Sequence, residues 1–376
     1  MKNACRPTVA HIDLKAIAHN IQAIKRKVAP ARIMAVVKAD GYGHGAVPAA
    51  RTALENGAGF LGVALVEEGI ALRQSGIEAP ILAFGGFFEE QIDAILEYDL
   101  RATIFDAGRA RALARAACKR NKPAVVHVKV DTGMARLGVD WQSACSFVTE
   151  MNQTKGLRLE GVFTHFATSD VAGSRFAGTQ LQRFNAFLDE LKEMKTPPLL
   201  RHAANSGAIL NLPGSYFDLV RSGVSLFGYY PSAETDRGVE LHPALSLRSK
   251  VMALRDLRAG DVVSYGSTYR ADKACRIANV PIGYADGFNR LLSNRGEVLI
   301  RGRRCQVVGR VCMDQIMVNV GVGTGVSVGD EVVLLGKQAS QEISIYEICD
   351  KLNTIPYEVT CCLSKRIPRV YGDPKK

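Results

Sequence analysis

No stretch of this 376-residue chain approaches the roughly 18 uninterrupted apolar residues that a membrane-spanning helix needs. The first twenty residues, MKNACRPTVAHIDLKAIAHN, lack the apolar core of a secretory signal, so no membrane partner and a cytoplasmic location are expected. The nine cysteines are odd in number and irregularly spaced, and no CxxC pair occurs among them. That argues against a structural zinc site and against a disulfide framework, and for reduced thiols; no metal is expected. No internal repeat or low-complexity linker interrupts the chain. A doubly wound nucleotide-binding sheet would carry a glycine fingerprint after its first strand, and none stands there.

What is present is an ordinary globular composition, 47% hydrophobic and 23% charged, at a length that suggests about two domains. Basic residues exceed acidic ones, 48 to 37, for a net charge of +11. The excess is scattered. Its densest clusters, Lys25-Arg26-Lys27 and Arg301-Gly302-Arg303-Arg304, have no interleaved aromatics and fit no nucleic-acid-reading motif, so they read as solvated surface and no nucleic-acid partner is expected.

Eight strand-length apolar runs recur over residues 33–223: Ile33–Ala39, Gly59–Leu65, Pro80–Phe84, Ala102–Phe105, Ala124–Val130, Leu159–Phe166, Leu200–Ala203 and Phe217–Val220. Helix-like segments lie between them, clearest at Glu67–Ser75, Glu89–Glu97, Ala107–Asn121 and Gln180–Lys195, where Leu181, Phe184, Phe187, Leu188 and Leu191 repeat at three- and four-residue spacing. Eight alternations predict an α/β fold, a (β/α)8 TIM barrel over residues 1–240. From 241 to 376 the helical period fades. Short strands with turns between them predict a mainly-β domain, with a helix at Ile345–Leu352. Gly321-Val322-Gly323-Thr324-Gly325 resembles a phosphate loop, but a strand pattern follows it where a helix would be needed, so it reads as a hairpin turn.

Chemistry in such a barrel sits at the carboxyl ends of the strands. There the sequence places Lys38, then Lys129 with Arg136, then His165, His202 with Asn205 and Ser206, and Arg221 with Gly223 and Val224. Each alone has a plain explanation: a snorkelling lysine, a surface arginine, a satisfied histidine, a helix cap. Five such strand ends on one rim are harder to dismiss. Ser206, Gly223 and Val224 follow strands seven and eight, where barrels hold phosphate, and a phosphate opposite a strand-end lysine suggests pyridoxal 5′-phosphate in Schiff-base linkage.

The segment Ala35-Val36-Val37-Lys38-Ala39-Asp40-Gly41-Tyr42-Gly43-His44-Gly45-Ala46 resembles the cofactor-attachment motif of the alanine racemases. The resemblance continues through Val128–Gly138, His202–Ser206, Arg221–Gly223, Ser264-Tyr265-Gly266, Gly283–Gly287 and Val311–Asp314, and so covers both domains. It implies interconversion of L- and D-alanine through an external aldimine of pyridoxal phosphate and a two-base transfer of the α-proton, with D-alanine destined for peptidoglycan. Lys38 would carry the cofactor and act as one base, its pKa lowered by a desolvated, cationic setting. Tyr265 would be the base on the opposite face, tuned by His165. Arg221 would face the pyridine nitrogen and, remaining protonated, would not fully protonate it.

By the same resemblance, Tyr42, Ser206, Gly223, Val224 and Tyr357 would hold the phosphate, and Asn205 would belong to the cofactor-binding set. Arg136 and the Met313 N–H would bind the substrate carboxylate. Tyr284, with Tyr265 and Tyr357, would narrow the approach to the site, and Lys129 would be open to carbamylation. The resemblance also implies a homodimer in which the β domain of one chain covers the barrel mouth of its partner, bringing Tyr265 and Met313 from the other subunit. The rival readings are a racemase of another small amino acid such as serine, and a barrel pyridoxal-phosphate decarboxylase. The decarboxylase would put an acidic residue at position 221.

Overall fold

Short, largely buried strands rich in branched residues build the first of two units, Ala16–His242. The computed structural model describes residues 6–194 and 199–372. In sequence order the barrel strands are Arg32–Val36, Phe60–Val63, Ile81–Ala83, Arg101–Ile104, Ala124–Asp131, Leu157–Phe163, Leu200–His202 and Leu219–Ser222. The first seven pair parallel in succession, and the eighth pairs parallel with the first through Leu219↔Arg32 to Ser222↔Ala35. Backbone bonds from Asp218 N to Arg201 O (3.1 Å) and Arg221 N to Ala204 O (2.9 Å) join the seventh strand to the eighth. All eight predicted runs are strands, shifted by a few residues at their ends.

Met34, Phe60, Leu82, Phe163 and Leu219 pack together inside the barrel. Because neighbouring residues of a strand face opposite sides, His127 and Lys129 share a face two apart, and both are buried. The helix predicted from Gln180 starts a turn and a half earlier, at Arg175, because the Ser174 side chain caps it by accepting from Ala177 N at 3.2 Å. Its buried stripe is Ala177, Gln180, Phe184, Phe187 and Leu191. Lys195, at the predicted end, lies outside the described residues.

The second unit, among the described residues, joins Arg6–Lys15 to Pro243–Gly372. Its start at Pro243 lies within three residues of the expected division at 240, and the difference is at the N-terminus, expected in the barrel domain. Strand Val9–Ile12 pairs antiparallel with Leu245–Lys250 and parallel with Arg369–Tyr371, so the N-terminal segment belongs with the β unit. The predicted run Leu245–Leu254 is broken at Val251 and Met252 into two strands, Leu245–Lys250 and Ala253–Leu257. Ile345–Leu352 is helical as predicted, with Ser344 as its cap. Residues 321–325 are not a hairpin turn: they lie in a loop between strands Ile316–Asn319 and Glu331–Gln338, which do not pair with each other. All three glycines there have φ near +70°, and no helix follows.

Candidate active site

Lys38 opens a turn of unusual hand. Ala39, Asp40, Gly41 and Tyr42 have φ of 51°, 51°, 62° and 53°, and Gly43 follows at 82°. Left-handed backbone costs a non-glycine residue about 1–2 kcal/mol, so a run of this kind persists only where its surroundings enforce it. Here they do. Glu68 accepts the Ala39 N–H at 2.6 Å, Asp40 accepts the Ala46 N–H at 2.9 Å, and His44 Nδ1 lies 3.0 Å from the carbonyls of both Gly41 and Tyr42. The Lys38 ammonium ends 5.9 Å from the centre of the Tyr42 ring. The motif thus fixes the relation between a lysine and a phenol.

Arg221 is buried on the eighth strand and has no carboxylate among its hydrogen-bond partners. Its Nη1 donates to His202 O and His202 Nδ1, both at 3.0 Å. Its Nη2 donates to Thr164 O (2.8 Å), Ala203 O (2.7 Å) and His165 Nδ1 (3.2 Å). These contacts occupy both terminal nitrogens, and Nε–H has no partner among the described residues. Burial pulls the guanidinium down to about 9, which leaves it cationic at neutral pH. His165 and His202 are held well below the usual histidine range, first by burial and then by Arg221, so both rings are neutral. Lys129, Arg136 and Lys38 also depress His165, which puts four cationic side chains around one imidazole.

Lys129 is buried, its Nζ has no hydrogen-bond partner among the described residues, and its pKa falls to about 8, mainly through desolvation and then through Arg221 and Arg136. The Asp131 carboxylate is turned into its own loop, accepting the N–H groups of Gly133, Met134 and Ala135 at 2.8–3.2 Å, and so shapes the turn that carries Arg136.

A small cradle lies beside Tyr42. A Cβ on Gly223 would stand 2.6 Å from the Tyr42 hydroxyl, so only glycine allows this approach. Ser206 Oγ accepts from Gly223 N (3.0 Å), Ser225 N (3.3 Å) and Ser225 Oγ (3.0 Å), which leaves its own proton to donate. Asn205 caps the helix that starts at Ser206 and is itself held by Ser169 Oγ at 2.7 Å. Val224 begins a single turn, Val224–Phe227, directly after Gly223.

The other predicted residues belong to the β unit. Tyr265 is flanked by Ser264 (φ 66°) and Gly266 (φ 70°), and Ser264 Oγ is tied to Arg310 O at 2.8 Å. Tyr284 N donates to Cys312 O and Ala285 N to Met313 O, both at 3.0 Å. A Cβ on Gly283 would come within 2.3 Å of those same two carbonyls. The Met313 N–H has no acceptor among the described residues. Arg366 holds Asp314 at 2.6 Å, and Arg6 holds the buried Asp286 at 2.6 Å, so both segments are braced. Tyr265 is 73% exposed, Met313 52% and Tyr284 42%. Tyr357 lies on the helix Pro356–Cys361.

Residues 12–231 match the family model of the alanine racemase N-terminal domain, and residues 244–371 that of the C-terminal domain. The chain belongs to the alanine racemase family. It is 47% identical over 367 residues to an alanine racemase of Symbiobacterium thermophilum, covering 98% of this chain and 97% of that protein. The fold superposes on an alanine racemase of Clostridium difficile with a TM-score of 0.93 at 37% identity, covering 98% and 97% of the two chains. A Bartonella henselae alanine racemase with covalently bound pyridoxal phosphate matches with a TM-score of 0.88 at 29% identity, covering 97% of this chain and 99% of that one.

Several residues of this candidate site were not singled out from sequence. Glu68 and Asp40 sustain the left-handed turn. Gln180 donates to His165 O at 3.0 Å and accepts from Ala167 N at 2.9 Å. His127 joins His202 at 2.9 Å. The two-residue spacing of His127 and Lys129 was the available signal for the last of these. Away from this candidate site, His19, Glu240 and His242 bring metal-ligand types together. Their two imidazoles stack at 3.8 Å with planes 2° apart, so no single cation lies in the plane of both rings as they stand.

Proposed function

We propose that the protein interconverts L- and D-alanine with pyridoxal 5′-phosphate held at the carboxyl ends of its barrel strands, and that Arg221 is the residue that sets the reaction type. The observation that carries this reading is the buried guanidinium with every terminal N–H engaged and no carboxylate beside it. Arginine at this position argues against a decarboxylase, which would place a carboxylate there.

The cradle fits a phosphate. The Ser206 proton, the Tyr42 hydroxyl and the backbone after Gly223 form a compact donor set, with Val224, Asn205 and Tyr357 completing the proposed cofactor shell. Lys38 is the attachment point, and the Nε–H of Arg221 is the donor left for a ring nitrogen. Bound there, pyridoxal phosphate supplies the electron-withdrawing ring that lets an amino acid give up its α-proton.

The chain's own residues do the rest. Arg136 and the Met313 N–H take the substrate carboxylate, and Tyr284 limits side-chain size. Lys38 takes or returns the proton on one face of the α-carbon and Tyr265 on the other, which inverts the centre. Because Arg221 donates to His165 Nδ1, the His165 proton sits on Nε2, as an N–H that suits a tyrosine phenolate. Exposed Tyr265, Tyr284 and Met313 fit burial against a second copy of the chain, with each site shared between two subunits. Lys129, if carbamylated, becomes an anion suited to holding Arg136. D-Alanine for a bacterial cell-wall polymer is the role in keeping with this activity.

A screen of L-amino acids with chiral detection of the D-product tests the reading. Alanine should invert fastest. Faster inversion of serine would replace alanine as the substrate, and release of carbon dioxide without inversion would overturn the racemase assignment.

A further inference from the structure

The barrel interior contains two imidazoles that take no part in the proton transfer described above. Arg221 Nη1 meets His202 Nδ1 at 3.0 Å, His202 Nε2 meets His127 Nδ1 at 2.9 Å, and His127 Nε2 meets Glu160 Oε2 at 3.0 Å. The chain crosses the barrel from the rim to the sixth strand. There Glu160 borders a groove together with Arg32, Arg201 and Asp218.

The two ends fix every proton along it. A guanidinium only donates, so His202 Nδ1 accepts, and the proton of His202 sits on Nε2. His127 Nδ1 must accept that proton's hydrogen bond, so His127 too carries its proton on Nε2 and donates it to Glu160, which as a carboxylate only accepts. The direction is therefore the same at all three links.

We infer that Glu160 is the remote counter-charge of Arg221, and that His127, His202 and Glu160 are positioning residues that regulate how strongly Arg221 donates to the ring nitrogen it faces. An isolated buried cation is costly, and Arg221 has no carboxylate partner among the described residues. Two imidazoles polarised in series bring the effect of a carboxylate to it. Burial alone would raise the Glu160 carboxyl, yet His127, Arg101 and Arg158 hold it below its ordinary value, so the far end of the chain is charged. Without that charge Arg221 becomes the stronger acid, and the remaining Nε–H gives more proton character to the group it contacts. None of the three is among the residues proposed to hold the substrate, so turnover should respond and substrate affinity should not.

This inference rests on the racemase reading, and the two can fail separately. Neutron diffraction from perdeuterated crystals of the wild-type holoenzyme locates the protons directly. Deuterons on Nε2 of both His127 and His202, with none on either Nδ1, are expected. A deuteron on Nδ1 of either ring overturns the relay, whatever the enzyme's activity. In the second measurement Glu160→Gln keeps an acceptor but removes the charge. A stronger donor at the ring nitrogen makes the ring more electron-withdrawing, so the variant's kcat for alanine should rise, by up to roughly tenfold, the difference between a charged and a neutral hydrogen-bond partner, with KM within about twofold and Glu160→Asp returning part of the way to the wild-type rate. An unchanged kcat in a Glu160→Gln enzyme that binds cofactor normally sinks the counter-charge role while leaving the racemase reading intact. If the wild type is inert towards every amino acid, the racemase reading fails, and the neutron map still decides the relay.

Discussion

Nη2 of Arg221 lies 3.2 Å from Nδ1 of His165, and this contact decides which nitrogen of the imidazole keeps its proton. An always-donating guanidinium leaves His165 as a neutral ring with an N–H on its other nitrogen. Burial, and then four surrounding cations, hold it well below the usual histidine range, so it is neutral at neutral pH.

The two proposed bases separate in isotope exchange. In deuterated water Tyr265→Ala should slow exchange of the α-proton of L-alanine by about 100-fold or more, the usual range for losing a general base, and spare exchange from D-alanine. Lys38→Ala should lose exchange from both isomers, and borohydride reduction should no longer fix the cofactor to the protein, as intact mass reports. Equal loss from both isomers in Tyr265→Ala would count against two separate bases.

Arg221 also supports the fold. Arg221→Met would strand the carbonyls of Thr164 and Ala203, which now accept from it at 2.8 and 2.7 Å, while His202 O keeps the Thr164 N–H. At roughly 1–3 kcal/mol for each buried unsatisfied group, the loss should be at least about 2 kcal/mol. Arg221→Lys, with three donors and no fork, should recover only part of it. Denaturant melts at matched cofactor loading measure both.

Lys129 ties stability to pH. Its folded pKa of about 8 lies below the ordinary 10.5, so the unfolded chain holds this proton more tightly. Between those values the unfolded state binds more protons, and stability rises with pH; below about 8 the full penalty is present. That penalty is about 3 kcal/mol. Lys129→Met should therefore exceed the wild type in stability at pH 7, with the advantage shrinking towards pH 10. A neutral amine near pH 8 also reacts with carbon dioxide, forming an N–C bond and releasing one proton. Labelled bicarbonate should give a carbamate signal in carbon NMR that Lys129→Met lacks, and a silent wild-type spectrum would rule the modification out.

Shared sites predict complementation. Lys38→Ala and Tyr265→Ala homodimers should each be inactive, and co-refolding equal amounts should return about a quarter of wild-type activity. About half of the dimers are then mixed, each with one intact site of two. Background activity from mixed dimers verified by mass would show that both residues come from one chain.

The order of elements was legible in the sequence because each barrel strand is a short buried run and each helix repeats with its own period, both local properties. Lys38 could be read because it closes the first apolar run and stands in the segment Ala35–Ala46, which resembles the family's attachment motif. Tertiary structure alone decided the placement of Val9–Ile12, whose partners Leu245–Lys250 and Arg369–Tyr371 lie more than 230 residues away. It also decided the hairpin that is not one, because strand pairing is a long-range choice that no turn signal at 321–325 encodes. The proton positions of His127, His165 and His202 follow from who donates to whom across strands five to eight. A linear chain does not state that relation; only folding brings a guanidinium and a carboxylate to opposite ends of the same row of imidazoles.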